Sequence, residues 1–159
     1  MIINPDMAQK SKKDQIATAA LPLFLDNGFK GTSIDMVVKT SKVSKATVYN
    51  HFPDKAALIL ATLILWIDAN KPLIAPIRNN HDFDELVQRH WLTDEAVRCY
   101  ALVIGEGRRF PQAKQKFWEQ YDGLWRQAFS YLSINADTLN PALIEQQLDH
   151  QLLLRLKQL

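Results

Sequence analysis

The sequence predicts an all-α protein, and three observations carry that reading. Apolar residues recur at helical spacing along nearly the whole chain, and no segment alternates as a strand would. Polar capping signals stand just ahead of the apolar stripes. Gly and Pro number only five and seven in 159 residues, too few for the many turns of an all-β chain. With 47% hydrophobic and 23% charged residues, the composition is that of a folded chain rather than a disordered one. The length accommodates one sizeable core, or a small module joined to a larger one.

The first helix is expected to start at "SKKD", where Ser11 can cap and Asp14 can complete a capping box. Its stripe is Ile16, Ala19, Ala20, Leu23 and Phe24, and it should end at Asn27-Gly28, with Gly28 as a left-handed C-cap. Pro22 is anomalous inside this helix, since it removes a hydrogen bond. "GTSID" opens a second, short helix, with Thr32 as the cap and Ile34, Val37 and Val38 as the stripe, running to about Thr40. After the turn "SKV", Ser44 is placed to cap a third helix that runs through His51 and breaks at Pro53. Asp54 caps a long fourth helix starting at Lys55. Pro72 and Pro76 bound a loop or a short bent helix. "DFDE" (82–85) reads as another capping box, opening a helix through Trp91. "TDEAVRCYALVIGEGRRF" is a mostly buried helix ending before Pro111, "AKQKFWEQYDGLWRQAFSYL" a long aromatic one, and Ala142–Leu159 a last amphipathic one. No internal repeat and no low-complexity tract is present.

Net charge is +2, but its distribution is uneven. Residues 1–55 carry eight Lys/Arg against five Asp/Glu, and residues 56–159 eleven against twelve. The single cysteine, Cys99, rules out an intramolecular disulfide and suits a reducing compartment; its neighbours read as helix interior, so burial is expected. The N-terminal stretch lacks the apolar core of a signal peptide. The longest apolar run, Ala56–Ile67, is well short of the roughly twenty residues a membrane span needs. A cytoplasmic protein with no membrane association is expected.

The positive surplus coincides with "SKATVYNHFPDK" (44–55), in which only Val48 and Phe52 are strongly apolar. Lying four residues apart, they share one side of a helix, so Lys, Thr, Tyr, Asn and His are left to face outward. Two short helices joined by a tight turn, with a preceding helix closing the core, make a helix-turn-helix over residues 33–52. Lys45 and Asn50 have the chemistry to hydrogen-bond base edges, and Thr47 offers a hydroxyl or a methyl. Tyr49, His51 and Thr32 are phosphate-type donors, and Lys55 lies at a helix N-terminus that favours an anion. Lys10, Lys12 and Lys13 form a basic arm suited to backbone contact. On spacing alone, plain solvation accounts for such a face as readily as DNA does.

The segment "IATAALPLFLDNGFKGTSIDMVVKTSKVSKATVYNHFPDKAALI" (16–59) resembles the N-terminal domain of the TetR (tetracycline-repressor) family of bacterial transcription regulators. The matching parts are "A-x-x-L-F" closing the first helix, "G-F-x-G-T-S" entering the second, "V-S-K-A-T-V-Y-N-H-F" as the recognition helix and "F-x-D-K-x-x-L" opening the fourth. The resemblance implies a DNA-binding domain over 9–55, joined by the fourth helix to a helical ligand-binding and dimerisation domain over 56–159. It implies a homodimer on a near-palindromic double-stranded operator, most simply a repressor, with a small apolar or amphipathic effector. Carried over by position, Tyr49, His51, Lys55 and Thr32 would contact phosphates, while Ser44, Lys45, Ala46, Thr47 and Asn50 would lie nearest the bases. The chain departs from the family pattern at Lys42, where the turn usually has glycine, and at Ala46, where many relatives have Gly or Pro. A non-glycine residue in left-handed backbone is therefore expected at Lys42. The second domain is short for the family, which points to a smaller dimer interface or a reduced pocket.

Other chemistry is poorly supported. "GEGRR" (105–109) holds a G-x-G and two arginines, but it follows no strand, so the phosphate-loop context is missing and close helix approach is the simpler reading. The histidines at 51, 81, 90 and 150 have no metal spacing, and neither a cofactor nor an enzyme activity is expected. Among the aromatic residues of the second domain, Trp66, Trp91 and Tyr100 are the candidates for an effector pocket, set against core packing as the commoner fate of aromatics at helical spacing. Two alternatives remain open. One is a DNA-binding or interaction protein without a working pocket, and the other is a helical small-molecule-binding domain with an incidental helix-turn-helix.

Overall fold

The computed structural model describes residues 11–72, 77–133 and 140–159. Among these the chain forms α1 (Lys12–Gly31), α2 (Ile34–Ser41), α3 (Lys45–His51), α4 (Lys55–Ala69), α5 (Asn80–Leu86), α6 (Asp94–Glu106), α7 (Pro111–Phe117), α8 (Gly123–Ser133) and α9 (Pro141–Leu156), and no strand. The all-α class and the architecture of an N-terminal helix-turn-helix followed by a helical C-terminal domain are as the sequence predicts. No described helix is long and apolar enough to cross a membrane.

Most helix starts follow the local capping chemistry. Ser11, Ser44, Asp54 and Thr93 each accept the backbone N–H of the residue three positions on. Two caps differ from expectation. α2 is capped by Ser33, whose hydroxyl takes the Met36 N–H at 3.2 Å, and not by Thr32. α5 is capped by Asn79, which accepts from Asp82, so this helix begins earlier than "DFDE" suggests. Asp82 instead accepts the Arg78 N–H at 2.9 Å. Each of these sites has two suitable polar residues near the helix start, and the path of the incoming chain selects between them.

Gly28 has φ +72°, as the Asn27-Gly28 signal predicts, but one more helical turn continues from it to Gly31. Pro22 is accommodated within α1. Two helices contain a π-helical turn that the sequence did not announce. Val87–Trp91 continues α5, and Trp118–Asp122 joins α7 to α8. Each closes on an i+5 bond, the Leu92 N–H to the Val87 carbonyl at 2.7 Å and the Gly123 N–H to that of Trp118. An extra residue in a turn rotates the rest of the helix about its axis, and here both Tyr121 and Asp122 end up buried.

α4 packs along α1 on one side and against α7 on the other, so it belongs to both halves of the molecule. The C-terminal helices enclose an aromatic core of Trp91, Tyr100, Phe117, Tyr121, Trp125 and Phe129. α9 covers this core with Ile144, Leu148 and Leu152, while Leu156 is only partly buried against it and Leu159 is exposed. Leu143, Leu153 and Leu154 remain exposed on the same helix.

Candidate nucleic-acid interface

The helix-turn-helix is held from below by apolar contact and from the side by one long bond. Val37, Val43, Val48 and Phe52 are buried against α1, where Ile16, Ala20 and Phe24 supply the facing surface. Gln15 of α1 donates its amide N–H to the Ser41 carbonyl at 2.8 Å, which ties the turn to the first helix. Lys42 takes φ 57°, ψ 28°, the left-handed geometry expected there, and its N–H closes α2 on the Val38 carbonyl. The chain then re-enters a helix through Ser44, whose hydroxyl accepts the Thr47 N–H at 3.2 Å and lies 2.8 Å from the Thr47 hydroxyl.

With the apolar side pinned, α3 presents Lys45, Ala46, Tyr49, Asn50 and His51 to solvent. Tyr49 is 45% exposed, a large apolar ring left without a packing duty. Lys45 pairs with Asp35 of α2 at 2.8 Å, and the hydrogen bond and charge of Asp35 raise its pKa above the usual lysine value. Both partners are mostly exposed, so the pair opens at little cost when a stronger anion arrives. Ser44 and Thr47 are mutually engaged, which makes their first duty the helix cap.

Other candidates lie apart from this face. Thr32 is 1% exposed, and its hydroxyl donates to the Leu23 and Gly28 carbonyls at 2.9 and 2.8 Å. It closes α1, and Ser33 is the exposed hydroxyl at the start of α2. The sequence signal for Ser33 was present in "GTSID", where two adjacent hydroxyl residues compete for one cap. Lys55 sits at the first position of α4, but its ammonium turns back to the Thr32 carbonyl at 2.9 Å and over the Phe29 ring at 4.6 Å. Lys12 is exposed at the start of α1, its ammonium 3.3 Å from the Gln15 amide oxygen. Lys10 lies outside the described residues.

The three pocket candidates have been drawn into the core. Trp91 and Tyr100 have no exposed surface. The Trp91 indole N–H donates to the Tyr100 hydroxyl at 3.0 Å, and that hydroxyl donates to Asp122 at 2.7 Å. Burial, then the Asp122 charge, push the Tyr100 phenol far above its ordinary pKa, so it stays protonated and keeps donating. Arg126 completes the chain on the other Asp122 oxygen at 2.9 Å and reaches Glu145 and Asp149 of α9. Trp66 donates to Glu95 of α6 at 2.5 Å. Of the three, Trp66 borders an open apolar groove of about 380 Å³, shared with Ala17, Leu21 and Leu65.

The two halves meet where α6 ends. The Glu106 carboxylate accepts the N–H groups of Phe29 and Lys30 at 2.9 and 3.0 Å, capping the turn after Gly28. A Cβ on residue 28 would stand 2.3 Å from the Glu106 oxygen, so the approach requires glycine. Arg98, about two turns earlier on α6, pairs with Asp26. Neither Arg98 nor Glu106 was placed by sequence reasoning, because their partners lie more than seventy residues away.

Residues 16–62 match the family model described as bacterial regulatory proteins of the tetR family. The HTH-type transcriptional regulator UidR of Escherichia coli K12 is 34% identical over 119 residues, which cover 70% of this chain and 60% of UidR. The HTH-type transcriptional regulator RutR of the same organism is 32% identical over 112 residues, covering 69% of this chain and 48% of RutR. The chain thus spans about half to three-fifths of the length of these relatives. Among solved structures, Salmonella enterica GusR superposes with a TM-score of 0.66 at 22% identity, covering 96% of this chain and 85% of that one, a likeness of fold.

Proposed function

Because the chain belongs to the TetR family of bacterial regulatory proteins, we propose that it is a sequence-specific DNA-binding transcriptional regulator, a cytoplasmic homodimeric repressor without catalytic activity. Residues 9–55 read the DNA, and residues 56–159 hold the dimer and respond to an effector. The observation that carries this reading is the outward face of α3. Lys45, Tyr49 and Asn50 are exposed on a helix whose opposite side is anchored by Val48 and Phe52.

In the proposed mechanism α3 enters the major groove, where Lys45 and Asn50 meet base edges once Lys45 has exchanged Asp35 for DNA. Tyr49, His51 and Lys12 meet phosphates, which set register without reading sequence. Two copies reach half-sites one helical turn apart, about 34–36 Å, only when the dimer spaces its α3 helices to match. The exposed Leu143, Leu153 and Leu154 of α9 are the apolar surface offered to the second copy. A small apolar or amphipathic effector that prefers another spacing shifts the population off DNA in proportion to its differential affinity.

The test is anisotropy binding to the DNA flanking the protein's own gene, against scrambled DNA, across a salt series. Lys45→Ala and Asn50→Ala should each cost about 1–3 kcal/mol on the preferred sequence and relax its preference. Tyr49→Ala should weaken both duplexes alike. Equal losses on both duplexes for all three variants would sink this division of roles.

A second reading is favoured by the closed packing of Trp91 and Tyr100: a regulator with this fold that has no working effector pocket. A saturating ligand bound to the folded state raises the unfolding midpoint. A thermal shift with any member of a panel of apolar and amphipathic molecules selects the inducible form. A flat panel together with intact DNA binding selects the second reading.

A further inference from the structure

The short 3₁₀ turn Gly107–Arg109 carries the only adjacent pair of arginines in the chain, in a domain whose overall charge is slightly negative. Both of its flanks are clamped to the DNA-reading half. On one side Glu106 binds the Phe29 and Lys30 N–H groups. On the other the buried Phe110 ring lies 5.0 Å from the Phe29 ring, and Phe110–Ala113 borders Asp54, Ala56 and Ala57 at the first turn of α4. Gly107 is buried and has no room for a Cβ, because the Lys114 stem crosses it at 2.9 Å. With both flanks held, the backbone of the turn sets where its arginines leave the surface.

That place is next to Lys30 and Lys55. The Lys55 ammonium lies 2.9 Å from the Thr32 carbonyl and 3.5 Å from that of Lys30, and the backbone of Lys30 is the same segment that Glu106 holds. Arg108 is exposed and makes no ion pair among the described residues. Arg109 is 54% exposed and stands 3.7 Å from Glu106, whose oxygens are already taken up by Phe29 and Lys30. The Arg108–Arg109 turn and the Lys114 stem thus stand beside the Lys30 backbone and the Lys55 ammonium, where α1 ends and α2 and α4 begin, with Glu106 and Asp54 as the nearby carboxylates. In a helix-turn-helix the first helix of the pair crosses the DNA backbone while the second enters the groove. A basic ridge at the starts of α2 and α4 extends that crossing, and planar guanidinium groups match phosphate oxygens.

We propose that Arg108 and Arg109 are DNA-backbone contacts contributed by the C-terminal domain, extending the phosphate footprint beyond the helix-turn-helix. This rests on the DNA-binding reading above. It also makes affinity depend on how α6 docks, since any withdrawal of Glu106 from Lys30 carries both arginines with it.

The experiment is fluorescence anisotropy on labelled preferred and scrambled duplexes across a salt series, with Arg108→Ala, Arg109→Ala, the double variant, and Arg89→Ala as a control of equal charge change on α5's π turn. Removing either arginine, and with it one phosphate contact, should make the slope of log affinity against log salt less steep by about 0.9, and the double variant by about 1.8, equally on both duplexes. Arg89→Ala should leave the slope alone. Arg108 pairs with no charged group among the described residues, so its variant should keep the wild-type melting temperature, and Arg109→Lys should restore most of the steepness that Arg109→Ala removes. A steep wild-type slope that neither arginine variant alters would overturn the proposal and leave the DNA-binding reading standing. Weakening confined to the preferred duplex would overturn it in favour of base reading. A wild-type protein with no salt-dependent affinity would overturn both.

Discussion

Around α3, polar side chains that bond within the protein mostly bond to near neighbours. Ser33 caps Met36, Ser44 caps Thr47 and Asp54 caps Ala57, each across three residues. In the C-terminal domain the comparable bonds cross the chain. Tyr100 reaches Asp122, Tyr121 reaches the Trp91 carbonyl, Trp66 reaches Glu95 and Trp125 reaches the Asn70 carbonyl. The difference follows from burial. A short helix with one anchored side needs only its ends satisfied, and its remaining polar groups stay in water, available to a partner. Aromatic rings taken wholly out of water must find a partner for each polar handle wherever packing provides one. One region holds its chemistry in reserve; the other has used it for structure.

Substitutions at three places, the joint, the Tyr100–Asp122 pair and the α3 cap, sharpen or break this contrast. The largest effect is expected at the joint. Gly28→Ala must place a Cβ onto Glu106 at a backbone geometry that L residues rarely adopt, and should cost about 3–4 kcal/mol in urea unfolding. Part of that cost should disappear in a Glu106→Ala background; a cost unchanged there would assign it to backbone strain alone. Next is Asp122→Ala, which leaves the Tyr100 hydroxyl and the Arg126 guanidinium without their shared acceptor. It should destabilise by about 2–3 kcal/mol, while Tyr100→Phe, which removes one bond and keeps the ring, should cost about 1 kcal/mol. The smallest is Ser44→Ala, a local cap worth about 1 kcal/mol. If Ser44→Ala destabilised as much as Asp122→Ala, the distinction between local and long-range satisfaction would fail.

The joint gives the two halves a means of mutual influence. Glu106 is the last residue of α6, and its carboxylate replaces the backbone acceptors that the turn after Gly28 lacks. Arg98 and Asp26 add a second tie between the same helices. α6 also carries Tyr100, and through it contacts Asp122 and Trp91. A rearrangement of the aromatic core therefore has one rigid helix along which to reach the segment that positions α2 and α4.

What the sequence determined by itself was set by interactions a few residues long. The helical class, the caps at Ser11, Ser44 and Asp54, the positive φ of Gly28 and the outward face of α3 all follow from spacing and local backbone chemistry, whereas the left-handed Lys42 was expected only from the family resemblance. Tertiary structure decided the rest. It chose Ser33 over Thr32 and Asn79 over Asp82 as caps, because the approach of the preceding chain determines which side chain reaches the free N–H. It buried Trp91 and Tyr100 rather than leaving them to line an open cavity, because the Trp91 indole, the Tyr100 hydroxyl and the Asp122 carboxylate satisfy one another across elements far apart in sequence. It brought Glu106 to Gly28, and with it the arginines of "GEGRR" to the edge of the N-terminal half, across a separation that no periodicity encodes.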